Sequence, residues 1–464
     1  MNCSADTCVC LSLAYREIEV TPFNNNQIVA TVLFVAAAIM PARGISVDLP
    51  LLAQNLTKPP TPTIELLEEI PEPQEITESQ PPNIVEEVTQ TVEKKADFPT
   101  QYQISLPRDS QPQTPPLPGI GEFVEMPGTN GVIELTRVTD SIGSINSYAH
   151  SYAKRSAIDP FNKYLLLNGF IFTLDDLKQF KPIPFGYEYV VSQTKEDEFI
   201  GFHGNNLRRW NAVTDEITDI WSGPGGSTYT IGQWEGQQSW DDRYVVVSWE
   251  NGGIQLAVID LVNHSLVAQM PVTDVPGRYN WADISPSGKY VLVGTSTGVF
   301  RFNTNLQGMV ELNTNANQTG NTHGDMMYDV AGNEVYVQEG NFSHGDISYI
   351  ILDTNTLQLM DLVDTATQTG VSYPNSASHI SGQARDIPGR AFVSLQHASG
   401  MSSMFAVDLV PGQSQVYNWG HSHSTAIRYY ATAKATISND GTRVVYSSDW
   451  MTGGTIYTFM AKIK

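Results

Sequence analysis

Two copies of one tripeptide, His323-Gly324-Asp325 and His344-Gly345-Asp346, set an imidazole and a carboxylate two residues apart. At that spacing a carboxylate can orient the ring or share a metal with it. His421-Ser422-His423 puts two imidazoles on the same side of a strand, a pairing suited to metal, so the two are candidate ligands for a divalent cation. Tyr152, Trp234 and Trp281 are further candidates for the same site, with Glu235 and Asn280 beside the tryptophans. Aromatic faces flanked by polar groups suit sugar rings, which stack through C–H groups and bond through hydroxyls. Other chemistries are missing: there is no Gly-x-Ser-x-Gly, no phosphate loop and no dinucleotide fingerprint, and Gly223-Pro224-Gly225-Gly226-Ser227 reads as a connection.

The elements that must carry these residues come from a repeat. Polar turns recur at Asp159–Lys163, Thr194–Asp197, Trp240–Arg243, Ser285–Lys289, Asp329–Asn333, Asp386–Arg390 and Ser438–Thr442. The residues opening the next strand are Tyr164, Phe199, Tyr244, Tyr290, Val335, Ala391 and Val444, spaced 35, 45, 46, 45, 56 and 53 apart. Four short strands and their turns fill such a period, which predicts an all-β, seven-bladed propeller over residues 126–464. Closure is expected from Val132–Thr136 as the outer strand of the last blade, joined to the C-terminal Thr455–Ala461.

In a blade, the start of the innermost strand and the loop between strands two and three share one face. That rule sends His150, His203, His323, His344, His379, His397, His421 and His423 to one face and His264 to the other. Loops from all blades converge at the channel mouth of such a ring, so this face is the expected functional one.

The 464 residues carry 49 Asp/Glu against 26 Lys/Arg, a net charge of −23. This acidity argues against a nucleic-acid partner, which demands a basic stripe. Cys3, Cys8 and Cys10 all lie in the first ten residues, so neither disulfides nor thiolate zinc can hold the propeller. Residues 1–44 form an N-terminal tail whose Ile28–Met40 has the length of a signal-peptide core or short anchor, so a membrane tether and export to the periplasm, cell surface or exterior are expected. Residues 45–125, rich in Pro and Glu, read as a disordered stalk. The partner expected at the propeller face is a polysaccharide or, for a non-catalytic scaffold, a protein.

Several phrases occur together: His150-Ser151-Tyr152-Ala153-Lys154-Arg155, Asn206-Leu207-Arg208-Arg209-Trp210, His323-Gly324-Asp325, Ser378-His379-Ile380-Ser381-Gly382, Pro388-Gly389-Arg390 and Val444-Val445-Tyr446-Ser447-Ser448-Asp449-Trp450. Over residues 130–464 the chain resembles exported seven-bladed propellers that include polysaccharide lyases of the oligogalacturonate and ulvan type. Such lyases remove the C5 proton of a uronate and expel the 4-linked sugar. The resemblance implies His150 or His323 as base, Tyr152 as proton donor and Arg155 or Lys154 as neutraliser of the carboxylate. Lys154, Trp234, Trp281 and His379 are then the substrate-binding set. One departure stands out. The oligogalacturonate lyases hold a metal with paired histidines just before the last blade's turn, where this chain reads Thr432-Ala433-Lys434-Ala435-Thr436. A metal would then fall to His421 and His423.

Overall fold

The computed structural model describes residues 114–463 apart from 127–132, 140–149, 151, 187, 313–322, 340–346, 360–377, 396–402, 412–414 and 426–430. The N-terminal tail with Ile28–Met40, nearly all of the expected stalk, His344 and His397 lie outside the described residues. Among the described residues no helix is long and apolar enough to cross a membrane.

Seven antiparallel sheets follow one another along the chain and form the expected seven-bladed propeller. The innermost strands of blades two to seven are Tyr189–Val191, Ser227–Ile231, Tyr279–Ile284, Gly324–Tyr328, Ser378–Ser381 and Thr436–Ile437. In blade one, Ala157 and Ile158 form the inner edge, through the Ile158–Leu165 bridge and the Leu166 N–H donated to the Ala157 carbonyl.

The second strand of blade three, Tyr244–Glu250, shows why these sequences make blades. Its β-branched run Val245-Val246-Val247 is fully buried, because a blade is covered on both faces. Side chains alternate, so Val245 and Val247 pack with Ile200 and Phe202 of blade two, while Val246 packs with Ile284 and Val291 of blade four. A one-residue slip would exchange the two interfaces.

Four of the repeated turns close by one device. Their first residue offers a side-chain oxygen to main-chain N–H groups four or five residues on. Asp159 Oδ1 accepts from Lys163 at 2.7 Å, Asp329 Oδ1 from Asn333 at 2.8 Å, Ser285 Oγ from Tyr290 at 3.0 Å and Ser438 Oγ from Arg443 at 3.0 Å. Successive turns also bond to one another. The Asp242 carboxylate accepts from the hydroxyls of Ser192 and Thr194, each at 2.6 Å, and from the Gln193 N–H at 2.9 Å.

Closure joins the two ends of the propeller, with a correction to the expected outer strand. Ile133–Arg137 pairs with Tyr457–Ile463 as the fourth strand of blade seven, and Phe123–Glu125 adds a fifth strand outside it. In this outermost strand Phe123 and Glu125 are exposed, while Val124 packs against the core of blade seven.

Candidate functional site

Contacts between blades that are not neighbours locate the centre of the ring. The Tyr152 ring of blade one meets His379 of blade six edge-on at 5.3 Å. Lys154 of blade one bonds to Glu235 of blade three at 2.9 Å, and its ammonium lies 3.5 Å from the centroid of the Trp281 ring of blade four. The amide of Gln383 in blade six donates to the Lys154 carbonyl at 2.8 Å. Arg385 of blade six reaches Gln237 of blade three at 3.3 Å. Only residues on or beside the inner strands, facing the axis, can meet in this way.

Three imidazoles belong to this centre. His323 and His379 stack with centroids 4.5 Å apart and planes within 16°. His150 Nε2 lies 2.5 Å from the Lys434 carbonyl oxygen, which can only accept, so this nitrogen carries the proton. Burial pulls the His150 imidazole down to about 4. Burial also pulls His379 well below its ordinary value, reinforced by His323, Lys434, His150 and Lys154. Both rings are therefore neutral at pH 7. Burial takes the Lys434 ammonium down to about 7, against the opposing pull of the Glu235 carboxylate.

Two carboxylates on the inner strands behave oppositely. Asp283 is pushed up to about 8 by burial and by the Asp325 charge, although it accepts from the Gln237 and Ile284 amides. Asp325 is pushed up to about 6 by burial. Its oxygens accept from the Met326 and Gly382 amides and from Gln383, rather than from the imidazole two residues before it. The expected His–Asp partnership within His323-Gly324-Asp325 is thus replaced by a staple between blades five and six.

A local feature of blade three shapes the site. After Ile231 the inner strand breaks into a tight left-handed turn, with φ of +53° at Gly232, +57° at Gln233 and +68° at Trp234. Such a conformation costs about 1–2 kcal/mol per non-glycine residue, so it persists only where the surroundings over-determine it. Here they do. Gly232 fits because a Cβ on it would lie 1.9 Å from the Ala282 carbonyl oxygen. Arg155 donates to the carbonyls on both sides of the turn, Ile231 at 2.9 Å and Gly236 at 3.0 Å. Glu188 accepts from the Ile231 N–H at 2.7 Å and pairs with Arg155 at 3.6 Å. The turn delivers Trp234, 46% exposed, and Glu235 to the centre.

Two expectations change on this geometry. Arg155 is buried and committed to the turn's backbone, so its guanidinium braces blade three instead of standing ready to neutralise a ligand. Trp281 is a core residue: Lys154 covers one face, and the Gly294 backbone packs so closely that a Cβ there would lie 2.2 Å from the ring. Tyr152, Lys154, His150, His323 and His379 do gather at the axis, and Trp234 is exposed beside Glu235. Lys434, Asp283, Gln383 and Arg385 were not singled out from sequence. A polar residue inside an apolar inner strand, as in Trp281-Ala282-Asp283-Ile284, is the signal that could have found Asp283.

His421 and His423 lie elsewhere, at the end of the outer strand of blade six. Their ring centroids are 6.5 Å apart, and His423 packs on Trp450 at 4.7 Å. Among the described residues no cluster of three or more His, Cys, Asp or Glu side chains could hold a metal ion.

No protein-family model and no curated protein sequence matches the chain. Among solved structures, similarity extends to an oligogalacturonate lyase in complex with manganese, at 13% identity and a TM-score of 0.54, covering 75% of this chain and 97% of that one. It extends also to an oligogalacturonate lyase from Vibrio parahaemolyticus, at 12% identity and a TM-score of 0.51, covering 74% and 96%. At these identities the likeness establishes the shared propeller fold. The manganese of the first structure finds no matching donor set among the described residues here, where Lys434 stands before the last turn.

Proposed function

We propose that this propeller is carbohydrate-active, that its channel engages a uronate-bearing polysaccharide, and that it cleaves the chain by β-elimination. The observation that carries the reading is the meeting of neutral imidazoles, a tyrosine and two lysines on the axis of one ring. A neutral imidazole can accept the C5 proton of a uronate, and a nearby ammonium stabilises the carboxylate as charge builds on it. His323 is the assigned base, being part-exposed, whereas His150 is buried with Nε2 committed to a carbonyl. As the C5–H bond breaks, its electron pair moves into the C6 carboxylate as an enolate, and it forms the C4=C5 double bond only as the leaving oxygen departs. The C4–O bond then breaks with its pair on the leaving oxygen, which takes a proton from the Tyr152 hydroxyl. Lys154 supplies positive charge, Lys434 adds to it only where protonated, and Trp234 offers a ring face for a sugar.

The test is ultraviolet absorbance of the unsaturated uronate product during incubation of the full chain with a panel of uronate polymers. The reading expects a rise that a His323→Ala variant abolishes. A flat trace with every polymer rejects elimination.

A second reading, a non-catalytic scaffold that holds a protein partner, draws on the burial of Tyr152, Lys154 and His379 and on the existing Lys154–Glu235 pair. It expects no polymer to be cleaved or bound, and channel variants to alter stability alone.

A further inference from the structure

A small cavity lies where blades one, two and three meet, lined by Arg155 and Ser156 of the first, Val191 and Gln193 of the second, and Gln237 and Gln238 of the third. It has room for one water-sized body, about 10 Å³. Ser156 and Gln193 are half-buried, so solvent reaches its rim, whereas Gln238 is fully buried. The two glutamines are oriented by one group. Gln193 Nε2 donates to the Val191 carbonyl at 2.8 Å, and Gln238 Nε2 donates to the same oxygen. A carbonyl only accepts, so each amide nitrogen faces Val191 and each amide oxygen faces away. Both oxygens, Gln193 Oε1 and Gln238 Oε1, are buried, and neither accepts a hydrogen bond from a described residue.

A carboxylate stands behind the two amides. Asp242, 5% exposed, accepts from the Gln238 amide at 3.1 Å and from the Gln193 main-chain N–H at 2.9 Å. Donating to a carboxylate pushes electron density onto the amide oxygen and makes it a stronger acceptor. Among the described residues no lysine or arginine forms an ion pair with Asp242, and Arg385 feels its charge only from farther away. The Arg155 guanidinium at the cavity wall is matched by Glu188 at 3.6 Å. The charge left over beside the cavity is therefore that of Asp242. A water molecule in the cavity would serve the two oxygens and leave that charge as it is. A cation answers both.

We propose that this cavity is a monovalent-cation site, selective for potassium, whose ligands are Gln193 Oε1, Gln238 Oε1 and Ser156 Oγ. The serine hydroxyl donates to the Ile158 carbonyl and keeps lone pairs for an ion. All three ligands are neutral oxygens. Such a set suits potassium, whose hydration shell carbonyl oxygens can replace, and not calcium or magnesium, which gather carboxylates. Potassium is close to water in size, as the cavity requires, whereas sodium is smaller and cannot touch all three oxygens at once. The three ligands come from three separate sheets, so the ion ties together blades that no strand pairing joins. The site is independent of the chemistry proposed for the channel.

The experiment pairs thermal melts with crystallography on the full chain. Melts are run in potassium, sodium and tetramethylammonium chloride at equal ionic strength, for wild type and for Gln193→Met, which keeps the side-chain length and removes the ligand oxygen. Crystals grown in rubidium chloride, with rubidium standing in for potassium, are read by anomalous scattering. Expected results are a wild-type midpoint about 2 °C higher in potassium than in the other two salts, loss of that difference in Gln193→Met, and a rubidium peak between Ser156, Gln193 and Gln238. If Gln193→Met does not fold, the rubidium peak decides. Equal wild-type midpoints in the three salts overturn the site, as does a potassium preference undiminished in Gln193→Met. The absence of a rubidium peak overturns it whatever the melts show, and leaves the cavity to water.

Discussion

His150 Nε2 donates to the Lys434 carbonyl at 2.5 Å, tying the first blade to the seventh at the centre of the ring. The bond does two things. It fixes the tautomer of a ring that burial keeps neutral, and it holds Lys434 at a φ of +41°, a conformation that a lysine seldom adopts. The position of a channel cation thus depends on an imidazole 284 residues away in sequence.

Replacing His150 with alanine should strand a buried carbonyl and cost about 1–3 kcal/mol of stability. His150→Gln, which keeps an N–H donor, should recover part of that loss. Urea denaturation midpoints of the two variants check the claim, and equal midpoints would show that the bond contributes nothing.

The buried acids and the buried imidazoles pull stability in opposite directions as pH changes. Burial pushes the Asp283 and Asp325 carboxyls up, to about 8 and about 6, from the ordinary 3.8. Their contribution is complete below the unfolded value and is lost as pH rises through the folded ones. His150 and His423, lowered to about 4 from 6.5, stabilise above 6.5, and that contribution is lost as pH falls through 4. Asp283→Asn keeps an oxygen for the Gln237 and Ile284 amides and removes the charge that faces Asp325, Lys154 and Arg385. Thermal melts at pH 6 and pH 9 should show the variant gaining on wild type at the higher pH, by on the order of 2 kcal/mol. A constant difference across that range would contradict the burial of an acid at this position.

The left-handed turn separates two neighbouring positions. Gly232→Ala should destabilise by more than about 3 kcal/mol, because its Cβ would enter the Ala282 carbonyl as well as requiring a φ of +53°. Gln233→Gly should instead stabilise by roughly 1 kcal/mol, since φ there is +57° and glycine adopts it without a steric penalty. Denaturant midpoints of the two variants, measured together, give the contrast. If the two shift alike, the turn is not left-handed in solution.

These particulars also show what could be read from the residues. The turns announced the blades because a side-chain oxygen closes several of them, as in Asp159, Ser285, Asp329 and Ser438, and such a device needs fixed residue types at fixed offsets. His150, His323 and His379 could be placed at the axis because they precede or occupy inner strands. Arg155 and Trp281 could not be placed correctly from sequence. The role of Arg155 follows from two carbonyls freed by a left-handed turn in another blade, and Trp281 is covered by a lysine from blade one. Lys434 gave no signal, since nothing local distinguishes a lysine that will be buried. Contacts across the axis join residues with no fixed separation, so no period in the sequence reports them.

Closure gives the last prediction. Tyr457–Ile463 has Arg443–Ser448 on one side and Ile133–Arg137 on the other, and only the latter comes from the N-terminal side of the propeller. Leu135 is fully buried with Phe459 and Tyr446, and the Arg137 guanidinium lies 4.4 Å from the Tyr457 ring centroid. A chain shortened to begin after residue 126 loses the Phe123–Glu125 strand, the Met126 packing and the bond from Trp450 to the Pro115 carbonyl at 2.8 Å, but keeps the closing pair. It should fold with reduced stability. A chain shortened to begin after residue 139 exposes an unpaired seven-residue edge and the apolar face beneath it. It should aggregate or melt far below the first. Size-exclusion profiles and circular-dichroism melts of the two shortened chains measure this directly, and a monomeric, equally stable second chain would show that the ring does not depend on this strand for closure.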